Sequence, residues 1–483
     1  MVTSLAVVPV PTPGGVPDVR RANLGRVLGA LRAGAPISRA GLAAATGLTK
    51  ATVSAVVVDL AARGLLVEGD ITRDGSVGRP GRLLDLAGAP VRAVGVEVNA
   101  DHLTAVVSDL AGRVRWRRRL VVELGSATTD GAMDALAGLV GAALTEARGD
   151  GRSALGLTVS VPGLVAADSR TVLTAPNLPL SGVDVAAALR SRLADELTVP
   201  IRVDNDADLA AMAEHRACGV ADLVYLTGEV GVGAGIVVGG RVLRGSGGFA
   251  GEIGHLPVPG ATEVCGCGRV GCLEAVAGLA ALLRAAGEST RPGDGAYTDP
   301  LARLVRRADS DPGVRSALGR AGAALGYGVS VLVNVLDPGR VVLGGAFAVL
   351  AAHLVPPAEA AMRRLVVAPS AYGARLVAST VGPDAAALGA AAAVLDAVAA
   401  DPSSVRPTRA PSPTGQSTPG QPVTRHPATA PVPDHDDEGS TSCAQHPQLP
   451  QPPRPAGSPP PGPTTSPSAC GPSAGRRPTR SGR

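Results

Sequence analysis

Aromatic side chains are almost absent from this chain: one Trp, four Tyr and two Phe in 483 residues. A core must therefore be built from Ala, Val and Leu, and a hydrophobic content of 45% supplies enough of them. Lysine is nearly missing too, because Lys50 is its single representative and every other basic chain is arginine. Uninterrupted apolar runs stay below the roughly 18 residues a membrane-crossing helix needs, so no such helix is expected. The opening MVTSLAVVPVPTPGG has no basic n-region, and Pro9, Pro11 and Pro13 cut its apolar run, so it does not read as a secretory signal. Six cysteines in a chain of this length do not make a disulfide scaffold. The expectation is a cytoplasmic protein without a membrane partner.

At about 150 residues per domain the length suggests roughly three units. The net charge of +4 is unevenly spread: residues 1–90 carry +4, residues 401–483 carry +3, and the middle carries −3. A basic first segment on a mildly acidic body suits an anion such as DNA, although a solvated basic face has the same charge. From Pro402 onward lie 21 of the 42 prolines, with Ser, Thr, Gly and Gln between them. Such a stretch buries too little apolar surface to offset its ordering entropy, so residues 401–483 are expected to be disordered. Residues 1–19 read the same way. Within the tail, Asp434, Asp436, Asp437 and Glu438, and the closing arginines from Arg476, are solvated charge or contact points.

Residues 20–87 carry a compact helical pattern. Leu24, Val27, Leu28 and Leu31 recur at helical spacing, and Ala35-Pro36 ends that helix. Ser38 can cap a second helix ending near Thr46-Gly47, and Thr49 a third with Val53, Val57 and Leu60 on one side. Gly64 stops it, and LLVEGD and GRLLDL form two strands around a Gly-rich loop. The order is that of a winged helix-turn-helix. From 91 to 400 the pattern changes to three closely spaced strands, a helix, a strand, a helix and a strand, read twice in succession. That order predicts a duplicated α/β domain with a cleft between its halves.

The sharpest chemical signal is His255-x9-Cys265-Gly-Cys267-x4-Cys272. Three thiols and an imidazole complete a tetrahedral zinc set, leaving no position for a water to be activated, so the metal is expected to be structural. Ordinary reduced thiols are the plainer alternative, and Cys218 is one. Glu252 precedes that loop, Glu274 follows it, and Asn205-Asp206 ends an apolar strand upstream. Acceptors and donors converging on a cleft suit a polyhydroxylated ligand, because each sugar hydroxyl both gives and takes a hydrogen bond. Helix-capping carboxylates would leave the same trace.

From about Asn23 to Ala399 the chain resembles the ROK family (repressors, open reading frames and kinases). GEIGH…CGCGRVGCLE is similar to the family's zinc signature at every ligand spacing, and RVDNDADLAAMAE resembles its catalytic segment, whose Asn-Asp pair falls on Asn205 and Asp206. SVPGLV and APNLP, the latter holding Asn177, resemble its sugar loops, while SRAGLAAATGLTKATVSAVVVDLAARGLLVE and GRPGR resemble its DNA-binding half. The resemblance implies an actin-like, ribonuclease-H-like fold behind the winged helix-turn-helix. It also implies a monosaccharide or sugar-phosphate effector held by Asn177, Asn205, Asp206, Glu252, His255 and Glu274.

Kinase and regulator branches share this body. Family kinases carry Asp-x-Gly-Gly-Thr after the first strand, where this chain has Glu97-Val98-Asn99-Ala100-Asp101. Cβ atoms replace both glycines, and Asp101 sets negative charge where phosphate would lie. The second phosphate loop keeps Gly231, Gly233 and Gly235 but carries Glu229 and Val230. Asp206 matches the kinase base, yet a base without a placed phosphate accelerates little. The expectation is a sugar-responsive repressor without kinase activity, with an ATP-dependent glucokinase-like enzyme as the alternative. A bare sugar-binding module would not need the helix-turn-helix. Thr49, Lys50, Ala51, Thr52 and Ser54 open the helix expected in the major groove, with Arg39 on phosphate and Arg79 and Arg82 in the minor groove. Operator DNA is the expected partner, bound by a homodimer or homotetramer.

Overall fold

The computed structural model describes residues 16–72, 81–88, 91–229, 231–288, 298–367 and 375–407. Arg79, Val230 and the charged clusters expected beyond residue 433 lie outside the described residues.

Helix α1 (Val16–Gly34) begins the head, four residues before the expected start at 20. Residues 16–19 therefore belong to a helix, where Asp18 pairs with Arg21. Strand β1 (Ile37–Ser38) leads into α2 (Arg39–Thr46), whose Ser38 cap accepts the Gly41 N–H and whose end turns at Gly47, φ +69°. Thr49 caps α3 (Lys50–Ala62) by accepting the Thr52 N–H. Both caps follow from side-chain oxygens satisfying otherwise orphaned helix donors. Strands β2 (Leu66–Thr72) and β3 (Gly81–Leu86) form the wing, with β1 adding a third strand beside β3.

The first lobe opens with β4 (Val91–Val98), β5 (His102–Asp109) and β6 (Val114–Val121), followed by α4 (Thr129–Arg148) and β7 (Ser153–Val161). A small sheet of β8 (Leu164–Val165), β9 (Thr171–Thr174) and β10 (Val183–Asp184) leads to α5 (Val185–Leu193), β11 (Ile201–Asn205) and α6 (Asp206–Cys218). The second lobe repeats the opening with β12 (Leu223–Gly228), β13 (Val232–Val238) and β14 (Arg241–Val242). Then come α7 (Leu273–Ala277), α8 (Leu279–Ala285), α9 (Thr298–Ser310) and α10 (Pro312–Leu336). Strand β15 (Arg340–Gly344), α11 (Gly345–Val349), α12 (Ala351–Leu365), β16 (Arg375–Ala378) and α13 (Ala385–Ala400) complete it.

The two sheets run β11-β7-β4-β5-β6 and β14-β13-β12-β15-β16. In each, three antiparallel strands are followed by two parallel ones added beside the first. Identical strand order in both halves establishes the duplication that the element order predicts. Among the described residues one helix, α10, is long and apolar enough to cross a membrane by composition; 61% of its apolar window is buried inside the protein instead, packed on α12.

Helix α13 reaches all three parts of the fold. Gly95 of β4 lies so close that a Cβ there would stand 2.2 Å from the Ala387 carbonyl, and a Cβ on Gly389 would stand 1.9 Å from that of Leu209 on α6. Its far end contributes Val394, Leu395 and Val398 to the core of the head, beside Leu24, Leu28 and Val57. The chain then turns through 402–404, where Arg63 of the head donates to the carbonyls of Ser403 and Val405. The expected disordered tail thus gives up its first residues to packing against the head. Gly389→Val is expected to lower the melting temperature by an amount equivalent to about 1–3 kcal/mol, the usual range for overpacking; an unchanged melting curve would contradict this contact.

Candidate functional site

Strand β11 delivers three carboxylates to the N-terminus of α6, where the helix dipole favours negative charge. Asn205 is the helix cap: its Oδ1 accepts the Asp208 N–H at 3.0 Å and its Nδ2 donates to the Gly163 carbonyl at 3.0 Å. Its amide thus ties the sugar-loop segment SVPGLV to α6. Asp206, the first helical residue, is raised to about 6 by burial, with the Glu252 charge adding to it. Asp208 is raised to about 7 by burial, which Arg244 partly offsets. Arg244 was not anticipated from the sequence. It pairs with Asp204 at 2.6 Å and Asp208 at 3.5 Å, pinning the Gly-rich loop to α6. The excess of acids in DNDAD, needing a cation, was the one signal for it.

That loop carries Gly251 at φ +98°, where a Cβ would meet the Ala234 carbonyl at 2.2 Å, so only glycine lets the loop pass. Glu252 is exposed beyond it, with Oε2 4.0 Å from His255 Nε2. Glu274 is fixed from behind, since its Oε2 accepts the Val232 N–H at 3.2 Å. Asp206, Glu252, His255 and Glu274 gather at one place, linked by the Asp206–Glu252 and Glu252–Glu274 charge interactions. Asn177 sits on an exposed turn between β9 and β10 and makes no side-chain hydrogen bond among the described residues.

The ligand atoms of His255, Cys265, Cys267 and Cys272 all lie within 4.8 Å of one another. Cys267 Sγ is 3.7 Å from Cys272 Sγ, and Cys265 Sγ is 3.9 Å from His255 Nδ1. Zn–S bonds of about 2.3 Å at tetrahedral angles put sulfurs about 3.8 Å apart, so the donor set and its spacing fit zinc. Because Nδ1 faces the thiols and Nε2 faces Glu252, one imidazole can serve both a metal and the cleft.

Acids also line the interior beside Asp206. Glu97, Asp206, Tyr225, Thr227 and Glu229 line a cavity of about 20 Å³ closed by Gly345. Glu97 is held well above the usual carboxylate range by burial and by Glu229, and its Oε2 has no hydrogen-bond partner. Glu229 is raised to about 7 by burial and by Asp206. The β4–β5 turn is closed on itself: Asn99 Oδ1 accepts the Ala100 N–H at 2.7 Å, and Asp101 pairs with His102 at 2.6 Å. The Ala100 N–H is thus spent on a side chain. Each acid holds a proton in the folded chain that the unfolded chain releases at lower pH, so its stabilising share is lost as pH rises from about 4.5 through 7. Glu229→Gln is therefore expected to gain in melting temperature relative to the parent over that window. A constant offset from pH 4.5 to 7.5 would contradict the buried acid.

On the head, Thr49, Lys50, Ala51 and Ser54 are exposed along the start of α3, while Thr52 is half-buried with its hydroxyl 2.9 Å from that of Thr49. Val53, Val57 and Leu60 face the core. Arg39 pairs with Glu68, and Arg82 lies 3.8 Å from the same carboxylate, so a phosphate must compete with Glu68 for both.

A profile of the MarR family matches residues 25–79, and a profile of the ROK family matches residues 93–397. A putative xylose repressor of Caldicellulosiruptor is 32% identical over 322 residues, 64% of this chain and 79% of the relative. The crystal structure of a ROK family transcriptional regulator, a homologue of the E. coli MLC protein, superposes with a TM-score of 0.66 at 24% identity, covering 79% of this chain and 97% of that one, and shares its fold. A ROK family glucokinase of Streptomyces griseus, solved with glucose and AMPPNP, superposes with a TM-score of 0.52 at 26% identity over 62% of this chain and 98% of that one. With a MarR-like winged head joined to a duplicated α/β body, this chain belongs to the ROK family.

Proposed function

We propose that the chain is a sugar-responsive DNA-binding repressor of carbohydrate genes that does not phosphorylate its sugar. One observation carries this reading: a winged head shares its hydrophobic core with the last helix of the sugar-kinase-like body, while buried carboxylates fill that body's phosphate cavity. The relative named as a xylose repressor supports it. Similarity to the glucokinase and the retained Asp206 favour the kinase alternative. The cavity lining weighs against it, because Glu97, Asp206 and Glu229 stand there with no basic side chain to offer a nucleotide's phosphates.

In this reading Asp206, Glu252 and Glu274 accept hydroxyl protons of a monosaccharide or its phosphate, His255 Nε2 donates, and Asn177 approaches from the opposite loop. Asn205 holds the cleft's two walls together. Zinc on His255, Cys265, Cys267 and Cys272 fixes the loop that carries Glu252. The head reads operator DNA through Thr49, Lys50, Ala51, Thr52 and Ser54, with Arg39 on phosphate and Arg79 and Arg82 in the minor groove. A homodimer or homotetramer supplies heads for two half-sites, and the protein works in the cytoplasm where its DNA lies.

The test is selection of duplexes from a random-sequence library by the purified chain. Affinity for the selected duplex is then measured with D-xylose, D-glucose, N-acetylglucosamine and their phosphates. A change of about 5–150-fold with one of them, the usual span of allosteric coupling, is expected; sugar phosphorylation by ATP at ordinary kinase turnover would overturn the reading. Asp206→Ala and Glu252→Ala are expected to keep DNA binding and lose the response. Lys50→Ala should weaken binding while lowering the salt slope by about one ion. Metal analysis is expected to find one zinc per chain, lost in Cys267→Ser and kept in Cys218→Ser.

A further inference from the structure

Three helices from separate parts of the chain meet on one carboxylate. Asp396, on α13, accepts a hydrogen bond from Arg32 Nη1 through Oδ1 at 3.1 Å and another from Arg216 Nη2 through Oδ2. Arg32 stands in the last turn of α1, in the DNA-binding head, and the same nitrogen also reaches the Leu395 carbonyl at 3.4 Å. Arg216 stands in the last turn of α6, at the opposite end of that helix from Asn205 and Asp206. The two arginines form no hydrogen bond or ion pair with each other, so the acid on α13 is their shared partner.

The geometry between them is stiff. The helix carries any displacement at Asp206 about 15 Å to Arg216 as one rod. That rod lies on α13 with glycine at the contact, since a Cβ on Gly389 would strike the Leu209 carbonyl. It also lies on β13, where a Cβ on Gly235 would stand 2.1 Å from the Ala207 carbonyl. Contacts this close leave no side-chain layer to absorb a shift, so movement of α6 must appear at its ends. One of those ends holds the carboxylate that also holds the head.

We propose that Asp396 is the positioning residue through which α6 sets the posture of the DNA-binding head. The proposal rests on the sugar-responsive reading for its purpose, though not for its physical content. The three side chains remain 23%, 45% and 28% exposed, for Arg32, Asp396 and Arg216 respectively. Ion pairs so exposed add little to stability. Their effect is one of geometry: a carboxylate bound at each oxygen by a different helix relays the position of one guanidinium to the other. Removing it frees the two helices from each other without opening a core.

The experiment needs no effector in its first arm. Hydrogen exchange at residues 213–218 is measured in the full chain for the parent, Arg32→Gln, Asp396→Asn and the double variant. Arg32→Gln is expected to raise exchange at the end of α6 by about threefold or more, as local opening there loses its restraint. In the Asp396→Asn background the same change should do nothing further. An effect of Arg32→Gln confined to residues 28–36, or one that persists undiminished in that background, overturns the proposal. In the second arm, the selected duplex is titrated with and without whichever of those sugars the parent answers. Asp396→Asn should retain the affinity for duplex without sugar and for sugar without duplex, but cut the sugar's effect on duplex affinity by about fivefold or more. A full response in Asp396→Asn overturns the proposal. A parent that answers none of the sugars instead overturns the proposed function, and the exchange arm still decides the relay.

Discussion

The whole structure depends on the close packing of one alanine-rich helix. Helix α13 can lie against β4 and α6 because Gly95 and Gly389 offer no Cβ at the crossings. Its other end replaces alanine with Val394, Leu395 and Val398, and these complete the apolar core of the DNA-binding head. The head is therefore no bead on a linker. Its α1 comes so near that a Cβ on Gly25 would stand 2.9 Å from the Ala399 carbonyl. Interfaces of this density have discrete arrangements rather than continuous play, which is what a switch requires.

The second constraint is electrostatic. A phosphate site needs donors and positive charge, whereas the cavity beside Asp206 is lined by three acids, Glu97, Asp206 and Glu229. Burial holds Asp206 near 6 and Glu229 near 7, so the cavity stores protons near neutral pH. Glu252 and Glu274 flank the loop that carries the thiol cluster.

Much of this was legible in the sequence because it is local. Ser38 and Thr49 announce their helices as caps, the spacing from His255 to Cys272 announces a metal, and the repeated strand pattern announces two lobes. What stayed hidden depends on partners far apart in the chain. Arg32 and Asp396 are 364 residues apart, and Arg39 meets Glu68 across a turn whose geometry no periodicity encodes. Strand β1, two residues long, has no period to read, and β16 gave no separate signal in an alanine-rich neighbourhood. Asn205 was legible as polar at a strand end. That its amide would be consumed in capping α6 and holding Gly163 required the fold itself.

Coupling between two sites is reciprocal: whatever factor a sugar imposes on DNA affinity, DNA must impose on sugar affinity. The most direct measurement is therefore calorimetric titration of the full chain with its responding sugar, alone and saturated with the selected duplex. The account predicts that the duplex shifts sugar affinity by the same factor, and in the same sense, as the sugar shifts duplex affinity. A sugar affinity indifferent to bound DNA would contradict it.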